Sequence, residues 1–166
     1  MAIRLFVLSK GGVTMEAMKV AEFIITQYYN MNKPITNLKL QKLLYFVQGA
    51  SLAIFDEPAF TDTIEAWRYG PVVPNVYYPY SLYGPLKIRV KYEEELEDGV
   101  TRKIALFISH YYKDTDPFDL VRETHEPNSP WDKVYNKASA SKEITIDSIK
   151  SYFRTRYLAE WFPNEL

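Results

Sequence analysis

From Glu16 onward the apolar positions Ala17, Ala21, Ile24, Ile25 and Tyr28 recur at the spacing of one helical face. This predicts an amphipathic helix that stops ahead of Pro34, because proline disfavours helical geometry in the residue before it. Thr36 or Asn37 can cap a second helix, with Leu40, Leu43, Leu44, Val47 and Ile54 on its apolar face and Gly49 admitting close packing. Asp56-Glu57-Pro58 ends it. Two helices joined by so short a connection predict an antiparallel hairpin.

The pattern then changes. Thr63 to Arg68 suits a short extended piece, and Gly70-Pro71 is a turn signal. Pro74 fits the first position of a helix through Tyr77, Tyr78 and Leu82 that Pro79 kinks or cuts short. Leu86, Ile88, Val90 and Tyr92 alternate with basic residues, which predicts a strand over Pro85 to Tyr92, followed by the acidic turn EEELEDG. The helical period returns at Val100, Ile104, Phe107, Ile108 and Tyr111. Asp116-Pro117 opens a shorter helix over Phe118 to Thr124, and Thr145 can cap a last helix carrying Ile149, Tyr152, Phe153 and Tyr157 on one side. The fold class expected is mainly α (α+β with a minor β component), a compact helical domain built on an N-terminal helix hairpin, without internal repeats or low-complexity linkers.

The first fourteen residues stand apart from this pattern. Ser9-Lys10-Gly11-Gly12 can be encoded by a purine-rich string resembling a bacterial ribosome-binding site just upstream of the Met15 codon. Translation is therefore expected to start at Met15, with residues 1–14 an upstream extension or disordered tail and residues 15–166 a single domain. The other reading of Ile3 to Leu8 is an edge strand, since large and β-branched apolar residues favour strands.

Composition narrows the function. With 166 residues, 47% hydrophobic and 25% charged, the chain has the size and make-up of one globular domain. Net charge is -1, with 20 basic against 21 acidic residues, so the basic footprint of a dedicated nucleic-acid binder is missing. The absence of cysteine excludes disulfides, thiolate zinc sites and a Cys nucleophile, and fits a cytoplasmic location. No apolar run reaches bilayer length, and no signal-peptide pattern opens the chain.

Candidate chemistry is sparse. His110 and His125 lie in no zinc spacing, and phosphate loop, nucleophile elbow and dinucleotide fingerprint are absent from the sequence. His125 with Glu123 and Glu126 could form an acid-base group, or His125 could end a helix in the THEPNSPW turn. Glu93 to Asp98 reads as a solvated turn or an acidic face for a basic partner. Lys33, Lys39, Lys42, Arg68, Lys87, Arg89 and Lys91, and farther on Lys150, Arg154 and Arg156, read as scattered surface charge, with RNA contact the less favoured alternative. What departs from average is the aromatic content, 16%, with fourteen tyrosines. A tyrosine hydroxyl is costly to bury without a partner, so some rings are expected at half-exposed positions. Tyr69, Tyr77, Tyr78, Tyr80 and Tyr83 fall in one proline-stiffened segment, a composition shared by core and by protein-binding surfaces.

Three stretches together resemble the Panacea domain family of SocA-like antitoxins and phage-associated proteins: LKLQKLLYFVQG at Leu38 to Gly49, IEAWRYGPVVPNVYYPY at Ile64 to Tyr80, and THEPNSPW at Thr124 to Trp131. The resemblance runs from about Met15 to Trp131, more weakly through the last helix. It assigns a family signature to Leu40, Lys42, Leu43, Leu44, Tyr45, Glu65, Ala66, Trp67, Tyr69, Gly70, Pro71, Val72, Tyr77, Thr124, His125, Pro130 and Trp131. The approach Arg122-Glu123 is more polar than the family pattern.

The resemblance implies a non-enzymatic antitoxin that binds a cognate toxin encoded by an adjacent gene, with no cofactor, metal or catalytic residue. An alternative is a phage-encoded interaction protein or an adaptor delivering its partner to a cytoplasmic protease. A signature shared by antitoxins that face different toxins is expected to be scaffold. The partner surface is then expected among residues outside it, with Tyr78, Tyr80, Tyr83, Arg89, Tyr92 and Arg154 as candidates, on Lys87 to Gly99, the last helix and the exposed tyrosines.

Overall fold

A computed structural model describes residues 15–93, 95–135 and 142–163; the expectations for residues 1–14, a late start or an edge strand, lie outside them. The chain forms α1 (Ala17–Asn30), β1 (Ile35–Thr36), α2 (Asn37–Phe55), β2 (Glu65–Trp67), β3 (Gly70–Val72) and α3 (Pro74–Tyr77). A 3-10 turn at Ser81–Tyr83 leads to β4 (Lys87–Ile88), α4 (Gly99–Tyr111), α5 (Pro117–Thr124), α6 (Pro130–Val134), β5 (Lys142–Glu143), α7 (Ile146–Arg156) and α8 (Leu158–Trp161). The architecture is mainly α with two small sheets.

The helix starts follow the capping residues. The side chains of Thr36, Asp98, Asp116, Ser129 and Thr145 each accept from a backbone N–H in the first turn of α2, α4, α5, α6 and α7, and proline opens α3, α5 and α6. For α1 the cap comes from elsewhere in the chain: Ala17 N donates to Asp62 Oδ2 at 2.7 Å. Helix α2 ends at Asp56 in the left-handed conformation, φ 63°.

Helices α1 and α2 pack against each other, and α2 goes on to become the axis of the whole fold. Every residue from Lys39 to Ala53 is buried. Helices α1, α4, α5 and α7 and strand β3 all pack around it, so a helix that reads as one-sided is covered on all sides. Phe46, midway along α2, is ringed by Tyr45, Tyr112, Phe153, Tyr157 and Trp161, at centroid distances of 4.7 to 6.4 Å and largely edge-to-face.

The predicted strand over Pro85 to Tyr92 shortens to Lys87–Ile88. Its partner β1 offers only Ile35 and Thr36 before α2 begins, so the antiparallel ladder has two rungs, Ile35 to Ile88 and Thr36 to Lys87. The acidic stretch is not wholly solvated either: Leu96 is 4% exposed, and Asp98 caps α4. Helices α6 and α8 escape the sequence reading because four or five residues are too few to show a period. In the second sheet β2 is flanked by β3 and β5, pairing Glu65 with Val72 and Glu143, Ala66 with Pro71 and Lys142, and Trp67 with Gly70. The two-residue turn Arg68-Tyr69 passes directly into Gly70 at φ 101°, a conformation that favours glycine.

Candidate functional site

The amide side chains of α2 and Ser51 form one line along the helix. Asn37, Gln41, Gln48 and Ser51 succeed one another at four, seven and three residues, which keeps them on a single helical face. All four take hold of the segment that follows α2. Ser51 Oγ donates to Glu57 O at 2.7 Å. Gln48 Nε2 donates to Phe60 O at 3.0 Å, while its Oε1 accepts from Ala59 N at 2.7 Å and Phe60 N at 3.3 Å. Gln41 Oε1 accepts from Val73 N at 2.9 Å and its Nε2 donates to Asn37 Oδ1. Asn37 Nδ2 in turn donates to Tyr77 O at 3.0 Å. An irregular chain stretch lies against a buried helix with its peptide groups satisfied by side chains, a requirement for burying such backbone.

Lys42, on a different face of α2, is fully buried. Its Nζ donates to Pro71 O at 2.6 Å. Burial, opposed by no carboxylate, pulls its pKa from 10.5 down to about 7. Gly70 closes over it: a Cβ there would stand 2.7 Å from Thr124 Oγ1 and 3.0 Å from Lys42 Cε and Nζ. Thr124 Oγ1 donates to Val121 O, and Ser129 Oγ donates to Thr124 O, which binds the turn between α5 and α6. Trp131 Nε1 then reaches back to Trp67 O at 2.7 Å, and Trp67 Nε1 donates to Glu65 Oε2 at 2.8 Å. Signature residues from α2, the β2–β3 hairpin and the α5–α6 turn thus meet at one place. Leu40, Leu43, Leu44, Tyr45, Ala66, Val72, Thr124 and Trp131 are buried there or nearby, and Pro71 and Pro130 are buried too. Tyr77 is half-buried with its ring 4.8 Å from that of Trp67, whereas Tyr69, 50% exposed, points away into solvent.

His125 is the residue after the last turn of α5 and serves as its C-cap. Its imidazole stacks on Trp131 at 3.5 Å and 7°, and Trp131 stacks on Tyr135. The flanking acids are committed elsewhere. Glu123 accepts from Tyr112 OH at 2.7 Å, and Glu126 accepts from Tyr152 OH and from Arg156 Nε and Nη2. Burial lowers the His125 pKa, with Lys42 adding to the effect. The side chain thus rests as a neutral stacked ring rather than as half of a carboxylate–imidazole pair. Among the described residues no group of three or more His, Asp or Glu side chains is arranged to hold a metal ion.

The candidate partner residues separate. Tyr78 is 62% exposed, and Arg89 is exposed. Tyr83 and Tyr92 are half-buried. Tyr80 does not belong with them: it is 6% exposed, and its hydroxyl shares a 2.7 Å hydrogen bond with that of Tyr92, so its ring is core. Arg154 fastens α7 to the end of α2, through Nε to Ala53 O and Nη2 to Asp56 Oδ1. Among the described residues the most exposed apolar side chain is Leu82, read from the sequence as part of the Pro74 helix; Leu86, read as a strand residue, is exposed as well, and neither was among the candidate partner residues.

Residues 40–132, more than half of the chain, match the family described as Antitoxin SocA-like, Panacea domain. The chain belongs to that family. It is also similar to Antitoxin SocA of Caulobacter vibrioides (strain NA1000 / CB15N), 27% identical over 146 residues, covering 78% of this chain and 75% of the relative. No solved structure matches it. The family match opens at Leu40 and closes at Asp132, so it takes in the Lys42–Gly70–Thr124 junction and leaves out α1, α7 and α8. Asn37, also outside it, was read only as an alternative cap for α2, a place that Thr36 takes, and Gln41, Gln48 and Ser51, inside it, were given no role in the sequence reading. Their signal was available as amide and hydroxyl residues on one line of a helix that is, apart from two lysines, apolar.

Proposed function

We propose that this Panacea chain is the antitoxin of a two-gene toxin-antitoxin system, acting in the cytoplasm by direct protein-protein contact with a toxin encoded next to it and not by catalysis. The observation that supports binding over chemistry is where the signature goes. Lys42, Gly70, Pro71 and Thr124 bond to or approach one another inside the fold, Trp131 is tied to Trp67 of the same hairpin, and the side-chain donors of Lys42, Thr124 and Trp131 are taken up by backbone carbonyls. Such an arrangement holds a shape and leaves no reactive group facing solvent. The same family shape can then carry different contact residues for different toxins, and segments outside the signature become the place for specificity.

The experiment is bacterial growth with the neighbouring reading frame induced, with and without this protein expressed from Met15. Relief of toxicity, together with co-purification of the two proteins, is the expected result. A harmless neighbour, or one that stays toxic in the presence of soluble antitoxin, would remove the proposal.

A further inference from the structure

The turn between α1 and α2, strand β4 with the residues after it, and the turn between α4 and α5 enclose a cleft of about 520 Å³. Its lining carries Lys33, Lys39, Lys87, Arg89 and Lys113 against one carboxylate, Asp114. In a chain whose net charge is -1, five cations around one opening are a local concentration and not a consequence of composition. Lys39, 5% exposed, forms the floor, with Nζ donating to Thr115 O at 2.7 Å and Lys113 O at 3.2 Å. Asp114 is ion-paired with Lys33. The side chains of Lys87, Arg89 and Lys113 make no ion pair among the described residues.

We infer that this cleft receives an acidic segment, a loop or tail bearing Asp or Glu, of the protein partner; the inference rests on the antitoxin reading and locates its contact. Three features favour a peptide carboxylate over a nucleic-acid phosphate. The cleft already accommodates one carboxylate of its own, Asp114 on Lys33. Its strand continues backwards into Leu86 and the 3-10 turn bearing Leu82, 67% and 95% exposed, so apolar side chains border the charges as protein interfaces require. Beyond Arg89 the sequence turns acidic, Glu93 to Asp98, so the cations of the cleft are not followed along the chain by the continuous basic track that a long polyanion favours.

The test titrates the full chain with a short fluorescein-labelled peptide rich in Asp and Glu, at low salt, by anisotropy. An oligothymidylate of equal length and tripolyphosphate serve as comparators. The double replacement Lys87→Glu/Arg89→Glu changes two exposed side chains, and Lys87→Gln/Arg89→Gln covers the case in which reversal disturbs folding; melting curves verify both. The expected result is saturable peptide binding that weakens about tenfold or more on reversal and falls steeply with salt. Absence of peptide binding, equal binding by melted-alike variants, or tighter binding of the phosphate comparators overturns the inference. So does a dimer of this chain that dissolves on reversal, which would make the occupant a second copy. Where the neighbouring toxin is neutralised by the parent protein, the reversal variant should lose protection. Undiminished protection sinks the cleft and leaves the antitoxin standing, whereas a harmless neighbour sinks the antitoxin and leaves the peptide titration to decide the cleft.

Discussion

The ring of Phe153 on α7 lies directly against the bare Cα of Gly49 on α2, so close that a Cβ there would stand 2.3 Å from Cδ1 and Cε1. Two helices far apart in sequence approach one another at a point that only glycine permits.

Replacing Gly49 by Ala should therefore destabilise the protein despite a better helix former in α2. The propensity gain is about 1 kcal/mol. The ring cannot retreat, because Tyr45, Phe46, Tyr157 and Trp161 surround it, so overpacking should cost more than it gains, for a net loss of about 2 kcal/mol. Thermal or urea unfolding measures this. In a Phe153→Ala background the same substitution should become neutral or favourable, and a penalty that persists there would assign the cost to something other than the ring.

Gly70→Ala meets two obstacles. Its φ of 101° is a conformation that L-residues rarely adopt, and the added Cβ would press on Thr124 Oγ1 and the Lys42 ammonium stem. A loss of about 2 kcal/mol or more is expected, read as a lower melting temperature. Shortening Thr124 to Ser leaves the Oγ in place, so it should not rescue the variant, whereas Thr124→Ala should recover part of the loss. Unchanged melting of Gly70→Ala would mean that the hairpin can shift away from α2.

How much of this was legible depends on the element. Helices α4, α5 and α7 each carry a capping residue at the start and an apolar stripe behind it, and α1, which has no cap of its own, was readable from its apolar stripe alone. The centrality of α2 was not, because a buried polar residue looks like a surface residue until its partner is known. Gln41, Gln48 and Lys42 are polar by type and interior by position, and their partners are backbone atoms of Val73, Phe60 and Pro71, which have no sequence signature. The same blindness explains Tyr80: its burial depends on Tyr92, twelve residues on, offering a hydroxyl. The basic cleft joins residues from positions 32 to 117 and exists only through the pairing of β1 with β4.

Gln48 satisfies three backbone groups with one amide, so its loss should be larger than that of an ordinary hydrogen bond. Gln48→Met keeps the volume while leaving Phe60 O, Ala59 N and Phe60 N without their partner. A destabilisation of about 3 kcal/mol is expected, from unpaired buried groups at roughly 1–3 kcal/mol each, part of which water entry recovers. Hydrogen exchange localises the effect: the amides of Ala59 and Phe60 should lose protection first, and uniform loss across the domain would argue against a local clamp.

His125 stacks on Trp131 and holds no carboxylate, so His125→Ala should cost about 1 kcal/mol of stability through the lost ring contact. Neutralisation of the toxin should persist in the growth assay. A variant that melts as the parent does yet fails to protect would restore a chemical part for the imidazole.

Lys42 makes stability depend on pH in an unusual direction. A lysine normally gains a partner and holds its proton more tightly when folded; here burial without a carboxylate lowers the folded pKa to about 7 from an ordinary 10.5. Between those values the unfolded chain binds a proton that the folded chain does not, so stability rises with pH and the penalty for a charged Lys42 is greatest below pH 7. Lys39, lowered to about 8 chiefly by burial, adds in the same direction at higher pH. The gain should approach about 1.4 kcal/mol per pH unit for each lysine at most. It ends near pH 10, where the buried hydroxyls of Tyr45, Tyr112 and Tyr157, pushed up by burial, stay protonated in the folded state while the unfolded chain ionises, and stability falls again. Denaturant unfolding at intervals from pH 6 to 10 should therefore show a maximum on the alkaline side of neutrality. In Lys42→Met the rise between pH 7 and 8 should flatten while the part owed to Lys39 remains. A parent protein whose stability is level across that range would mean that Lys42 keeps its charge inside the fold, with the Pro71 carbonyl and its neighbours solvating the ammonium well enough to replace water.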